Sequence, residues 1–374
     1  MGIKQRLGDK YWNFCSVKSN EKLLVIESDD WGSLRTESQN IRKRLNETSV
    51  NYNKDPYIQY DGLANSEDLQ AMFEMFSKIK SEEGLSPLLT ANFCMSNPDF
   101  DKIRAKNYQE FFFERFDQSI LKNKEGSKVL KLWTEGISKG LIKPQLHGRE
   151  HVHALAWLSE LRQGNKDLLK AFELSVWGIP YQAIGSQRRV NLQAALDVYN
   201  MKGEEDFQVN WIIEASQIFK DYFGFRSKTF IAPAYTWSEN VHGILADVGI
   251  ESLQGIKLQY DPIGTSYKKR LRFLGETCKL SGLMFYPRNV FFEPSLYPNK
   301  DWYSETLVGI KKAFDHKQPA IIGSHRINYI GKLDEKNRTK NLKTLKQILT
   351  KVVELYPEVH FISSDALHQS LCPK

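Results

Sequence analysis

The sequence predicts an α/β protein built on a parallel sheet, open or closed into a barrel. Three observations predict it. Short β-rich runs recur along the chain, helical patterns separate them, and most of the runs are apolar almost throughout. Near-continuous apolarity marks strands covered on both faces, and strand–helix alternation favours parallel pairing. With 374 residues the chain can bury a substantial core, and α/β barrels of this size often form one unit.

In chain order, the strand candidates are LLVIES (23–28), PLLTANF (87–93), KPQLHG (143–148), KTFIAP (228–233), IESLQG (250–255), LMFYPR (283–288), PAIIGSH (319–325) and VHFISS (359–364). Helical patterns lie between them. SEDLQAMFEMFSKIKSEEG is expected to start with Ser66 as its N-cap and to end near Gly84. SKVLKLWTEGISKG, EEDFQVNWIIEASQIFKDYFGF, SENVHGILADVG and NLKTLKQILTKVVELYP follow. Three segments break the rhythm: 35–64 is polar with little periodicity, 152–200 is largely helical, and 256–282 is irregular or a hairpin. Insertions of this kind commonly wall a binding site. There is no internal repeat, low-complexity tract or Pro/Gly linker, so one domain over 1–374 is expected.

Composition narrows the function classes. The net charge is +7, but both signs are mixed along the chain and no long basic block stands out, which argues against a nucleic-acid partner. No apolar run reaches 18 residues, so no membrane span is expected. The first residues lack the apolar stretch of a secretion signal, and Arg6 stands where myristoylation needs Ser or Thr. Cys15, Cys94, Cys278 and Cys372 show no CxxC spacing and read as free thiols of a reducing compartment. The expected location is the cytoplasm.

The reactive side chains cluster at predicted strand ends. Asp29 and Asp30 close the first strand, His147 closes the third with His151 four residues on, and His325 closes the seventh. In barrels and open α/β sheets the carboxyl ends of the strands share one face, so residues far apart in sequence converge there. Two adjacent carboxylates repel unless a cation sits beside them. His147 and His151, at i and i+4 on a helical turn, can present two imidazole nitrogens to one ion, with a carboxylate as third ligand and a fourth position open to water. That is the ligand count of a catalytic zinc-type centre. Glu27, inside an apolar strand, is expected to hydrogen-bond inward, and His153 to point away.

The motifs SDDWG, HGREH, APAY and GSH, in this order, resemble those of the polysaccharide deacetylases, the metal-dependent superfamily that acts on chitin, chitooligosaccharides and peptidoglycan. The resemblance runs from about Leu23 to Asp365. It implies an irregular (β/α) barrel of about seven to eight strands and hydrolysis of an acetyl group from an N-acetylated sugar or glycan. By position it implies Asp29 as catalytic base, Asp30, His147 and His151 as ligands of a divalent metal, zinc foremost, and His325 as general acid. Three departures stand out. The arginine that precedes the family's third-motif proline is missing, with Ile231 and Ala232 in its place; Arg288 is the best substitute, ahead of Arg149 and Arg326. The fourth motif has no clear match around GIESLQG, and His147 is followed by Gly148 rather than Ser or Thr. Trp31, Asn92, Tyr235 and Trp237, next to the motifs, are candidate substrate contacts. A glycan-binding descendant without activity, an O-deacetylase and a glycosidase are the competing expectations; the glycosidase requires two carboxylates facing across the bond and no metal.

Overall fold

The computed structural model describes residues 3–47, 52–179, 191–264 and 266–371; parts of all three insertions, and Cys372, lie outside the described residues. It is a mixed α/β fold with a mostly parallel central sheet. Fourteen strands are described: β1 (Leu23–Trp31), β2 (Leu89–Cys94), β3 (Ser96–Pro98), β4 (Phe113–Arg115), β5 (Ile142–Gly148), β6 (Thr229–Phe230), β7 (Ser252–Ile256), β8 (Leu258–Ile263), β9 (Ser266–Leu271), β10 (Glu276–Thr277), β11 (Met284–Arg288), β12 (Val290–Phe291), β13 (Ala320–His325) and β14 (His360–Ile362). The main sheet runs β10-β11-β7-β6-β5-β2-β1-β13-β12, with β14 also on β1. All its pairings are parallel except β10 with β11. Its two ends rest on neighbouring chain: β11 pairs with β7, and β12, two residues further on, pairs with β13. The sheet is therefore barrel-like.

Each of the eight expected strands lies in this sheet, and β10 and β12 are additions too short to show in the pattern. The helix expected from Ser66 spans Ser66–Ser77, but its cap is Asn65. The Asn65 side chain accepts from the Asp68 N–H and the Asp68 carboxylate accepts from the Asn65 N–H, satisfying two end donors at once. Gly84 lies seven residues past that helix, in a turn at φ 78°. The segment 256–282 contains the hairpin β8–β9.

Side chains of β1 divide between two environments. Leu24 and Ile26 join the large core that the helices cover, whereas Leu23 and Val25 pack with Trp12, Tyr286, Ile321 and Leu367. Glu27 and Asp29 continue the second row and meet Arg288 of β11. A helix over Ile3–Cys15 delivers Trp12, whose Nε1 donates to the Arg272 carbonyl at 2.8 Å. Among the described residues no helix is long and apolar enough to cross a membrane. The three described cysteines are unpaired.

Candidate metal centre and its surroundings

Successive residues of a strand point to opposite faces, so Asp29 and Asp30 should diverge. They do not, because β1 is irregular there. Its register with β2 shifts between Ser28 and Trp31, and Asp30 sits at φ 72°, a left-handed conformation costly for a residue with a Cβ. Both carboxylates thereby reach one cavity of about 330 Å³, lined also by Arg35, Tyr57, His147, His151, Gln193, Tyr235, Tyr297 and His325. The same bulge sends Trp31 the other way. Its ring is buried against Trp133, with 5.0 Å between centroids, so the expected substrate contact at Trp31 is a core residue instead.

His147 and His151 converge on Asp30, but not from one helix. His147 is in β5, the chain turns at Gly148, and the next helix begins only at Ala154, so the expected helical turn is a strand-end reversal. Gly148 has φ 112°, and a Cβ there would lie 1.8 Å from the Trp211 ring. That close packing accounts for glycine at the position after His147. The His147 Nδ1 bonds the Ile231 carbonyl at 2.9 Å. A carbonyl only accepts, so Nδ1 carries a proton, and Nε2 is the nitrogen turned toward Asp30. Burial pulls the His151 imidazole down to about 4, leaving it neutral at pH 7. Its ring stacks on Trp177 at 5.6 Å, a contact from the second insertion.

Asp30 Oδ1 lies 3.4 Å from His147 Nε2 and 3.2 Å from His151 Nε2. Although all three groups are buried, neither Asp30 Oδ1 nor His147 Nε2 has a hydrogen-bond partner, and His151 Nδ1 is likewise unbonded. Orphaned buried polar atoms are costly and rare. Donors at about 2.0–2.2 Å from a tetrahedral ion stand about 3.3–3.6 Å apart, so separations of 3.4 and 3.2 Å are close to those of one divalent cation held by a carboxylate and two imidazoles. This is the only cluster of three or more His, Cys, Asp or Glu ligand atoms found within metal-binding reach among the described residues. The other Asp30 oxygen is 3.5 Å from Arg35, whose guanidinium lies over the Tyr57 and Trp177 rings at 4.9 and 4.4 Å.

Asp29 is surrounded quite differently. Arg288 donates to both its oxygens, at 2.7 and 2.6 Å, and Asn92 donates at 2.8 Å. Burial alone would raise its pKa; Arg288 overcomes that and holds the carboxyl at about 2. Arg288 is fully buried and also donates to Glu27 at 2.7 Å and to the Tyr235 hydroxyl at 3.1 Å. Burial pushes the Glu27 pKa up, partly offset by Arg288, and Ser364 donates to its second oxygen at 2.7 Å. Arg288 has room because residue 323 is glycine: a Cβ there would stand 2.3 Å from the Arg288 Cδ.

His325 is paired in register with Asp29 across β13 and β1, and its Nε2 is 3.8 Å from Asp29 Oδ2. Its Nδ1 bonds Glu293 at 2.6 Å, and Asn328 donates to the other Glu293 oxygen at 2.7 Å. Burial disfavours the charged ring, but Glu293 outweighs it and raises the pKa to about 9. His325 is thus an imidazolium at neutral pH.

The remaining candidates divide. Tyr235 reaches the cavity because Ala234 and Tyr235 both adopt left-handed φ, at 55° and 56°. Trp237, two residues on, turns back into the core, where its Nε1 donates to His242 at 3.0 Å, and it does not line the cavity. Asn92 is completely buried and spends its amide on Asp29 and Gln254, which removes it from the cavity wall as well. Arg149 is engaged by Glu150 and Glu214, and Arg326 by Asp61, so neither approaches Asp29. His153 points to Asp197 and Glu204. Of the three insertions, 35–64 and 152–200 supply wall residues, whereas no described residue of 256–282 lines the cavity.

Sequence reasoning missed Glu293, Arg35, Tyr57, Gln193 and Tyr297. Glu293 follows the apolar pair Phe291–Phe292 just after β12, so the strand-end rule that found Asp29 and His325 would have found it had β12 been recognised. Arg35 and Tyr57 lie in an aperiodic segment and carried no positional signal.

No family model matches this chain, and no curated protein does. Solved structures do align with it. A candidate glycoside hydrolase/deacetylase from Parabacteroides distasonis aligns with a TM-score of 0.50 at 8% identity, over 95% of this chain and 72% of the other. A protein described as a probable polysaccharide deacetylase, from Pseudomonas aeruginosa PAO1, gives 0.45 at 10% identity over 94% and 91%. A 4-alpha-glucanotransferase from Thermococcus litoralis gives 0.47 at 10% identity, and this chain covers 94% of itself but only 40% of that protein's length. What this chain shares with the first of these is its overall fold.

Proposed function

We propose that the protein is a metal-dependent hydrolase that removes an acetyl group from an N-acetylated sugar or glycan, on an irregular (β/α) barrel of the polysaccharide-deacetylase type. The observation that carries this is the convergence of Asp30 Oδ1, His147 Nε2 and His151 on one point with no hydrogen bond to satisfy the first two. The choice of acetylated sugar follows from the motif resemblance. Asp30, His147 and His151 would hold a divalent cation, zinc by ligand type, which when bound would supply Lewis acidity toward an acyl carbonyl and a water.

The side chains around it divide the proton work. Asp29, fixed by Arg288, stays ionised down to about pH 2, so at neutral pH it always offers an acceptor to an attacking water. It is a weak base at rest and takes the proton as the water becomes acidic during attack. His325 carries the proton that the departing amine needs, on Nε2, while Glu293 holds Nδ1. Tyr235 lines the cavity and accepts a hydrogen bond from Arg288. The substrate favoured is a small cytosolic N-acetylated precursor or a lipid-linked glycan rather than an assembled polymer; the unpaired cysteines suit a reducing compartment.

The test pairs elemental analysis with acetate release from N-acetylated sugars. The expected result is about one metal ion per chain and metal-dependent acetate release. Asp29→Asn is expected to lower turnover about 100- to 10,000-fold with metal content unchanged. Full metal content with no acetate from any N-acetyl sugar would favour the glycan-binding alternative, and sugar-chain cleavage independent of metal would favour a glycosidase.

A further inference from the structure

Beneath Asp29 a buried hydrogen-bonded chain crosses four strands: Asn92 on β2, Gln145 on β5, Thr229 on β6 and Gln254 on β7, all at most 2% exposed. A side-chain amide can rotate by 180° and exchange its donor and acceptor ends, so its orientation must be set by something that cannot rotate. Here the fixed element is the backbone. The N–H groups of Lys228 and Thr229 donate to the same Gln145 atom at 3.0 and 2.9 Å, which therefore has to be the carbonyl oxygen Oε1.

Each further step follows from the last. The hydroxyls of Ser227, at 2.7 Å, and Thr229, at 3.2 Å, also face that oxygen and donate to it. The Thr229 lone pairs are then free to accept from Gln254 Nε2 at 2.7 Å. With its nitrogen so placed, Gln254 forms a reciprocal amide pair with Asn92: Asn92 Nδ2 donates to Gln254 Oε1 at 2.7 Å, and Gln254 Nε2 donates to Asn92 Oδ1 at 3.0 Å. The second hydrogen on Asn92 Nδ2 is left to donate to Asp29 Oδ1 at 2.8 Å. A reversed Asn92 would place its carbonyl against the carboxylate, acceptor facing acceptor. The arrangement leaves Gln145 Nε2 buried without a partner, a penalty that the two backbone donors outweigh.

We infer that Gln145, Thr229 and Gln254 act as positioning residues for the Asp29 carboxylate, passing the donor sense of two backbone amides across the sheet to Asn92 and so to Asp29. This rests on the proposed role of Asp29 as base. None of the three touches substrate.

Thr229→Val removes the hydroxyl at nearly constant shape, and Thr229→Ser restores it. The expected result for Thr229→Val is a fall in kcat of roughly 10- to 100-fold with KM and bound metal unchanged, most of it recovered in Thr229→Ser. Exchange of the Asn92 side-chain amide hydrogens, followed by NMR on the metal-loaded full chain, is expected to speed up in the valine variant and not in the serine variant. Gln254→Met repeats both measurements at a second link should Thr229→Val not fold. Unchanged Asn92 exchange in a folded variant would overturn the relay. That measurement needs no substrate, so it stands apart from the proposed activity, which fails if the unaltered protein releases no acetate.

Discussion

Asp29 and Asp30 are neighbours in sequence, equally buried, and set in opposite surroundings. Every oxygen of Asp29 is answered, twice by Arg288 and once by Asn92. Asp30 keeps one oxygen without a bond, opposite the unbonded Nε2 of His147 and beside the His151 ring. The difference teaches how one strand end can serve two purposes. A carboxylate saturated by a guanidinium is locked in place and ionised; a carboxylate left unbonded beside two imidazoles could hold a cation with them.

The contrast can be broken first on the Asp30 side. His147→Ala is expected to reduce bound metal from about one ion per chain to near zero and to abolish turnover with it, since two ligands do not complete such a centre. Elemental analysis after gel filtration reads this directly. If the variant keeps its metal, the ion is held elsewhere.

On the Asp29 side the larger effect is on folding. Arg288→Met leaves Glu27 and Asp29 buried with their guanidinium gone, at a cost of about 3–5 kcal/mol, whereas Asp30→Asn removes a carboxylate whose arginine partner stands 3.5 Å away and is expected to cost less. Denaturant unfolding of the two variants sets them side by side. Equal losses would mean the two carboxylates are not as different as their contacts say.

The smallest expected effect sharpens the role of His325. Its pKa is raised to about 9 because Glu293 favours the charged ring. A group raised in this way is protonated below its folded pKa and loses its proton as pH rises through it, so acid-dependent turnover falls on the alkaline side. Glu293→Gln removes the raising charge and is expected to move that alkaline limb to lower pH by about 1–2 units. A pH–rate profile with an unmoved limb would assign the limb to another group.

Much of the fold was legible. The eight apolar runs were strands because a parallel strand buried on both faces has to be apolar almost throughout, and such runs are easily seen. The metal-ligand candidates were legible for a related reason: polar residues that break an apolar run at its carboxyl end mark the face where strand ends meet. The details that separate a wall residue from a core residue were not. Trp31 and Trp237 stand next to the motifs and are buried all the same, because a one-residue bulge and a pair of left-handed residues reverse side-chain direction without leaving a pattern in the sequence. Glu293 was hidden by the brevity of a two-residue strand.

The sequence by itself determined the strand–helix order, the apolar rows, and the presence of acids and imidazoles at strand ends, since those depend on local periodicity alone. Only the tertiary structure decided which of those groups meet. Arg288 reaches Asp29 across 259 residues because Gly323 leaves it space, and Glu293 reaches His325 because β12 lies beside β13. Contacts of that kind are set by packing between distant segments, and no stretch of chain records them.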